Sequence, residues 1–371
     1  MYIPESEAAN ILLAVEKLNP KCDETVLLLL PEKDTPDMEY LIWALNEKKI
    51  NFIGGIFPSI IYGDNIYNSG AILTLLPVLD TPLIVKDLSA DTLDIQEQLA
   101  TLKPSGKCTA FVLIDGLSSS ISHFLSSLFQ QFGVSVKYLG AGAGSISLEQ
   151  KPCIFNPDGI HMNAAIVTLV DMETRLGVRH GWKYMTGPFV ITRSEGNIIK
   201  ELNWNNPFEI YKEAVEQDSG LELCESSFFE IAKGYPFGIY SEGSEDIVRV
   251  PLQVTENGEL VFVGEVTENT VLNILKGEKS SLIASAGQAI KDCFSYDTNG
   301  IKHCFIVDCI TRVLFLEDDF KEELKSISRE IKRNDLAIIQ EGVLSLGEIA
   351  SREKGILEFF NKTIVVGTLH E

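Results

Sequence analysis

Long apolar runs are missing from this chain. The stretch Thr25 to Leu30 is cut off by Pro31, well short of the roughly 20 residues that a membrane-spanning helix needs. Basic residues are scarce as well. Lys and Arg number 31 against 53 Asp and Glu, a formal net charge of −22. Nucleic-acid binding depends on Lys and Arg displacing counterions, so nucleic acid and anionic membranes are poor partners for this surface. Its acidity reads as solubility in a crowded interior. The seven cysteines are scattered at 22, 108, 153, 224, 293, 304 and 309 with no CxxC pair, which argues against a zinc ribbon or a thioredoxin-like centre. Most of them read as small buried hydrophobes in a reducing cytoplasm. Among the five histidines, His123, His161, His180, His303 and His370, there is no HExxH and no HxH, so no dedicated zinc site is expected. GxxxxGK[ST] is absent too. Met1 to Asn10 has no basic region and includes Glu5 and Glu7, which is not the pattern of a secretory signal; a cytoplasmic location is expected.

What is present is ample core material. The chain has 371 residues, 45% of them hydrophobic and 23% charged. That length suggests two or three units at about 150 residues each. One order of elements recurs. Thr25 to Leu30 reads as a buried strand, Met38, Leu41, Ile42 and Leu45 mark a helix face, Ile50 to Ile53 is a strand ending in Gly54-Gly55, and Ala71 to Leu76 is another strand. In the second copy, Ala110 to Ile114, a helix face at Ile121, Phe124, Leu125 and Leu128, and Val134 to Leu139 running into Gly140 to Gly144 are followed by Ala165 to Val170. In the third, His303 to Cys309 is followed by a helix over 320–331, a strand over 336–339 with Gly342 and Gly347 behind it, and Thr363 to Leu369. A strand–helix–strand link makes a right-handed crossover with parallel strands. The expected fold is α/β (α+β): mixed sheets built from repeated strand–helix–strand–turn–strand units, with helices covering them. Asn206-Pro207 reads as a helix start, and Val248 to Val254 with Leu260 to Val263 as a hairpin across Glu256-Asn-Gly258. The seam near 203–206 is the expected boundary, giving domains 1–203 and 204–371.

Several motifs invite chemistry. Gly140-Ala-Gly-Ala-Gly144 follows a strand, yet Ser145 breaks GxGxxG and no helix opens behind it, so a tight turn is read in place of a phosphate cradle. Ser118 to Ser120 before a helix read as capping. Arg179-His180-Gly-Trp182 is the most site-like histidine environment, although a neutral packed His180 accounts for it. Pro31, Asp115 and Cys309 fall at corresponding strand ends, the edge where ligands meet such sheets. In Asp308-Cys309-Ile-Thr-Arg312, Arg312 offers a planar fork for a carboxylate and would lower the thiol pKa of Cys309. Pairing of Arg312 with a structural acid such as Glu348 is an equal alternative.

The C-terminal segment Cys309-Ile-Thr-Arg312, Glu341-Gly342, Ser345 to Ile349 and Phe360-Asn361-Lys-Thr363 resembles the C-terminal half of the FIST family (F-box and intracellular signal transduction). Ile53-Gly54-Gly55, Asp115-Gly116, Gly140 to Gly144, His180-Gly-Trp182, Val190-Ile-Thr192 and Gly196-Asn197 resemble its N-terminal half. Gly55 and Ser145 depart from the family, where cysteine and an acid are common. The resemblance implies a stand-alone intracellular sensor without catalysis. It would bind a small ligand, such as an amino acid or related carboxylate, and signal through a partner protein such as a histidine kinase. It also implies an alternative, a haem-binding nitric oxide sensor, although no cofactor is otherwise expected. The pocket is expected between the halves. Cys309, Arg312 and Glu348 would form one wall and Gly142 and Gly144 the other, with Asp115 and His180 nearby; Arg312 would take the ligand carboxylate and Glu348 its ammonium.

Overall fold

The computed structural model describes residues 1–88, 95–241, 244–295, 298–352 and 355–371. Three six-stranded sheets and one closed barrel make up the fold. Each sheet is centred on a parallel pair: Glu24–Pro31 with Phe52–Phe57, Thr109–Asp115 with Lys137–Ala143, and Ile301–Cys309 with Gln340–Ser345. Each first strand has an antiparallel neighbour on its other side, respectively Ala71–Pro77, Ala165–Val170 and Ile364–His370.

The central strands are buried on both faces, which is why they read as continuous apolar runs with little alternation. Leu27 and Leu29, Phe111 and Leu113, and Phe305 and Val307 all meet in one core between the three sheets. The intervening residues face helices. Val26 and Leu28 pack on Ala8–Leu18 and Met38–Glu47, Ala110 and Val112 on Ile121–Phe132, and Cys304 and Ile306 on Lys279–Cys293 and Phe320–Arg333. Complete burial of each Leu or Phe is worth about 1.5–3 kcal/mol.

A cyclic exchange of hairpins joins the sheets. The hairpin Ser59–Tyr62/Asn65–Tyr67 follows Phe52–Phe57 of the first sheet and pairs with Gln340–Ser345 of the third. The hairpin Ile154–Asn156/Gly159–His161 pairs with Phe52–Phe57 of the first. The hairpin Glu348–Ser351/Leu357–Phe360 pairs with Lys137–Ala143 of the second. The barrel closes through Lys183–Glu195, Ile198–Leu202, Leu260–Val263, Ile247–Val254, Phe237–Ile239 and Val271–Lys276. The seam at 203–206 lies within it, before the helix Pro207–Ser219, where Asn206 accepts from the amides of Phe208 and Glu209 and Pro207 opens the first turn. Segments from both sides of 203–204 share two sheets and the barrel.

Two sequence expectations are corrected. Residues 336–339 are not a strand; the strand starts at Gln340. The first two glycine "turns" are strand: Gly54-Gly55 lie in Phe52–Phe57, and Gly140 and Gly142 in Lys137–Ala143. Gly54 stands opposite Leu28, Gly140 opposite Val112 and Gly342 opposite Ile306. A Cβ at each would meet the facing carbonyl oxygen at 2.5, 2.2 and 1.8 Å. Close approach of parallel strands, rather than a turn, excludes a side chain there. Among the described residues no helix is long and apolar enough to cross a membrane.

Candidate ligand cleft

A cleft of about 800 Å³ opens where the helix Ile121–Phe132, the turn at Gly116 to Ser119, the edge strand Leu357–Phe360 and two barrel strands converge. Cys309, at the end of its strand, and the helix Ile310–Leu316 behind it complete the wall. The turn after Asp115 and the strand end at Cys309 therefore border one space. Its walls are largely apolar, with Leu125, Phe129, Leu252, Leu314, Leu346 and Phe359 among them.

The expected site residues separate in three dimensions. Cys309 lines the cleft, with Sγ 3.0 Å from the Thr311 hydroxyl. Burial, aided by the charge of Glu348, pushes its thiol up to about 12. Arg312 is fully buried and lines neither this cleft nor the one described below. Its Nε donates to Glu323 Oε1 at 2.9 Å, and its other nitrogens donate to that same oxygen and to the carbonyls of His180, Lys362 and Leu282. Asp308 Oδ1 stands 3.4 Å away. The fork is occupied by the protein itself, and the acid that occupies it is Glu323 rather than Glu348.

Glu348 lies in the interior, accepting from Ser345 Oγ at 2.7 Å and from the Thr363 amide at 3.3 Å. Burial raises its carboxyl to about 8. Asp115 accepts from the amides of Leu117 and Asn163 at 3.0 and 2.8 Å and from Gln150 at 3.0 Å. It shapes the turn that borders the cleft without entering it. Gly142 and Gly144 sit beneath Leu346: the Gly142 carbonyl accepts from the Leu346 amide at 2.9 Å, and a Cβ on Gly144 would meet Leu346 Cδ1 at 2.7 Å. Leu346, not the glycines, forms the wall there.

His180 lines a second cleft, of about 740 Å³, walled mainly by charged and polar groups such as Arg179, Glu245, Asp292 and Arg352. Its Nδ1 accepts from the Trp182 amide at 2.9 Å, which fixes the ring, and burial lowers its pKa.

Haem needs an axial His or Cys and an apolar envelope. No histidine lines the apolar cleft, the Cys309 thiol is held protonated, and His180 borders a polar one. These residues do not fit a porphyrin. Among the described residues no group of three or more His, Cys, Asp or Glu could hold a metal ion.

Two residues of the apolar cleft escaped the sequence reading. Arg249, in the strand Ile247–Val254, is only 8% exposed and borders the cleft. Between Val248 and Val250 it carries the pattern of a solvent-facing strand position, so nothing local marks it as buried. Asn361, 2% exposed, borders the same cleft, and its Oδ1 has no hydrogen-bond partner among the described residues. It lies inside the motif Phe360 to Thr363, which was the one available signal.

A family model described as the FIST N domain matches residues 14–205, and one described as the FIST C domain matches residues 207–351. Comparison with curated proteins finds none that matches.

Proposed function

The chain belongs to the FIST family, whose domains are sensory modules of signal transduction, and from that premise we propose that it binds a small ligand in the apolar cleft and passes the occupied state to a partner protein. The ligand class is an amino acid or a related small carboxylate. One observation carries the reading: the roughly 800 Å³ cleft is bordered at once by a sheet-covering helix, a sheet edge and the barrel. Ligand sites fall in this size range and favour junctions between structural units. A ligand touching all three walls favours the arrangement in which they stand closest, and that population shift is what a partner can read. Binding without turnover agrees with Cys309, whose thiol near 12 is a weak nucleophile at neutral pH.

The test is a thermal-shift panel of amino acids and small carboxylates on the full chain, run beside Ser122→Trp. Ser122 is exposed and borders the cleft, so an indole there fills the space without entering the core. At a hundredfold excess over Kd a ligand adds about 2.7 kcal/mol. The expected result is a raised melting temperature in the natural chain and none in the variant. A panel without any shift, or binding that persists in Ser122→Trp, rejects the reading.

A further inference from the structure

Arg249 is a buried cation that Glu358 and Glu265 act on only at a distance, without a direct ion pair. Its Nε donates to the Glu265 carbonyl at 3.3 Å, and its Nη1 donates to the carbonyls of Val248 and Phe359 at 3.1 and 3.3 Å. Among the described residues Nη2 has no hydrogen-bond partner and no carboxylate stands within ion-pair distance of the guanidinium. Other buried cations are accommodated. Arg312 has Glu323, and Lys362 is lowered by burial to about 7, with its Nζ on the Lys233 carbonyl and over the Trp182 ring. An arginine cannot take the route of Lys362, because its guanidinium does not deprotonate in proteins. A buried charge without a direct ion pair is costly, and this one borders open space.

Beside it stands the complementary deficit. Asn361 Oδ1 is an acceptor without a donor. Gly264, with φ +84°, leaves the gap between the two: a Cβ built there would lie 3.4 Å from both Arg249 Nε and Asn361 Oδ1. A donor fork lacking an acid and an acceptor lacking a donor thus flank one small volume, and apolar walls lead away from it at Leu252, Phe229, Leu314 and Phe129.

We propose that Arg249 and Asn361 anchor the head group of the cleft's ligand, a carboxylate with a hydrogen-bond donor on the adjacent carbon and an apolar tail. The guanidinium takes the carboxylate through Nη2, Asn361 Oδ1 accepts from the neighbouring amino or hydroxyl group, and the tail lies along the apolar wall. Glu358 also borders the cleft; burial raises its pKa, and the charges of Arg249 and Arg352 oppose that rise. This rests on the cleft being the ligand site, as proposed above.

Calorimetric titration of the full chain uses two series, on the leucine and the phenylalanine skeleton: the α-amino acid, its α-hydroxy analogue, the acid lacking that donor, and the amino-acid amide. The expected order has the amino and hydroxy acids ahead. Loss of the donor, or of the carboxylate in the amide, should cost about 10- to 100-fold each. This comparison needs no variant and so does not depend on a mutant folding. Arg249→Lys should lose a similar factor, and Asn361→Ala should abolish the preference for the donor-bearing acid. Amide binding equal to acid binding, or unchanged affinity in Arg249→Lys, overturns the anchor; if Ser122→Trp still blocks that binding, the cleft survives as the site. Binding that persists in Ser122→Trp sinks cleft and anchor together. No binding by any acid of either series overturns the proposed ligand class.

Discussion

Arg312 and Glu323 hold each other inside the fold. Both side chains are wholly buried, and the Nη2 and Nε of Arg312 donate to the same Glu323 oxygen at 2.5 and 2.9 Å. The remaining donors tie the carbonyls of His180, Leu282 and Lys362 to that pair. One side chain thus links the third sheet, its covering helix and the approach to the barrel.

Arg312→Lys therefore weakens the fold rather than a ligand site. A lysine keeps the charge and loses the planar fork. Breaking a buried pair costs about 3–5 kcal/mol, and the variant's urea midpoint should fall accordingly. A variant with unchanged stability but lost ligand affinity would return Arg312 to a binding role.

The in-strand glycines give a second expectation. Gly140→Ala and Gly342→Ala drive a Cβ onto a neighbouring strand's carbonyl oxygen, at 2.2 and 1.8 Å, and backbone cannot swing aside as a side chain can. Each should cost about 1–3 kcal/mol or more. Gly287→Ala is the control. That glycine lies within the helix Lys279–Cys293, where a Cβ meets nothing nearer than 3.5 Å, and the change should stabilise by about 0.5–1 kcal/mol. Equal effects at all three positions in denaturant titrations would refute the close-approach account.

Glu348 makes stability depend on pH. Burial raises its carboxyl from 4.5 to about 8, against hydrogen bonds from Ser345, Cys309 and the Thr363 amide and the charge of Arg312. The folded chain therefore holds a proton that the unfolded chain releases. The stability linked to it is complete below the unfolded value and is lost as pH rises through about 8. Glu348→Gln keeps the neutral shape and cannot ionise. It should match the natural chain within about 1 kcal/mol at mildly acid pH, and become the more stable form on the alkaline side. A stability difference that does not change with pH would show that Glu348 does not titrate in this way.

Of the two exposed thiols, Cys22 and Cys224, labelling at neutral pH should be faster at Cys224. It is exposed, and hydrogen bonds from the Ser226 and Ser227 hydroxyls lower its pKa to about 7. Cys309, near 12, should react far more slowly, since the thiolate is the nucleophile. Mass-spectrometric time courses read both sites in one sample, and faster modification of Cys309 would reopen a nucleophilic role for it.

The local elements were legible in the amino-acid order. Continuous apolar runs such as Val26 to Leu30 and Ala110 to Ile114 had to be strands buried on both faces, the spacing of Met38, Leu41, Ile42 and Leu45 had to be a helix face, and Asn206-Pro207 had to start a helix, because hydrophobic period and capping act over a few residues. Tertiary structure alone decided what each polar group faces. Arg312 and Arg249 are both arginines beside apolar residues. One, in the helix Ile310–Leu316, meets Glu323 of the helix Phe320–Arg333 and is neutralised; the other is carried by the barrel to a cleft wall where Glu265 and Glu358 act on it without forming an ion pair. The glycines of the parallel pairs read as turns for the same reason, since the carbonyls that exclude a Cβ, at Leu28, Val112 and Ile306, belong to the strands that the crossover brings alongside. Burial and charge balance depend on partners distant in sequence, and the cyclic exchange of hairpins between sheets sets many of those partners.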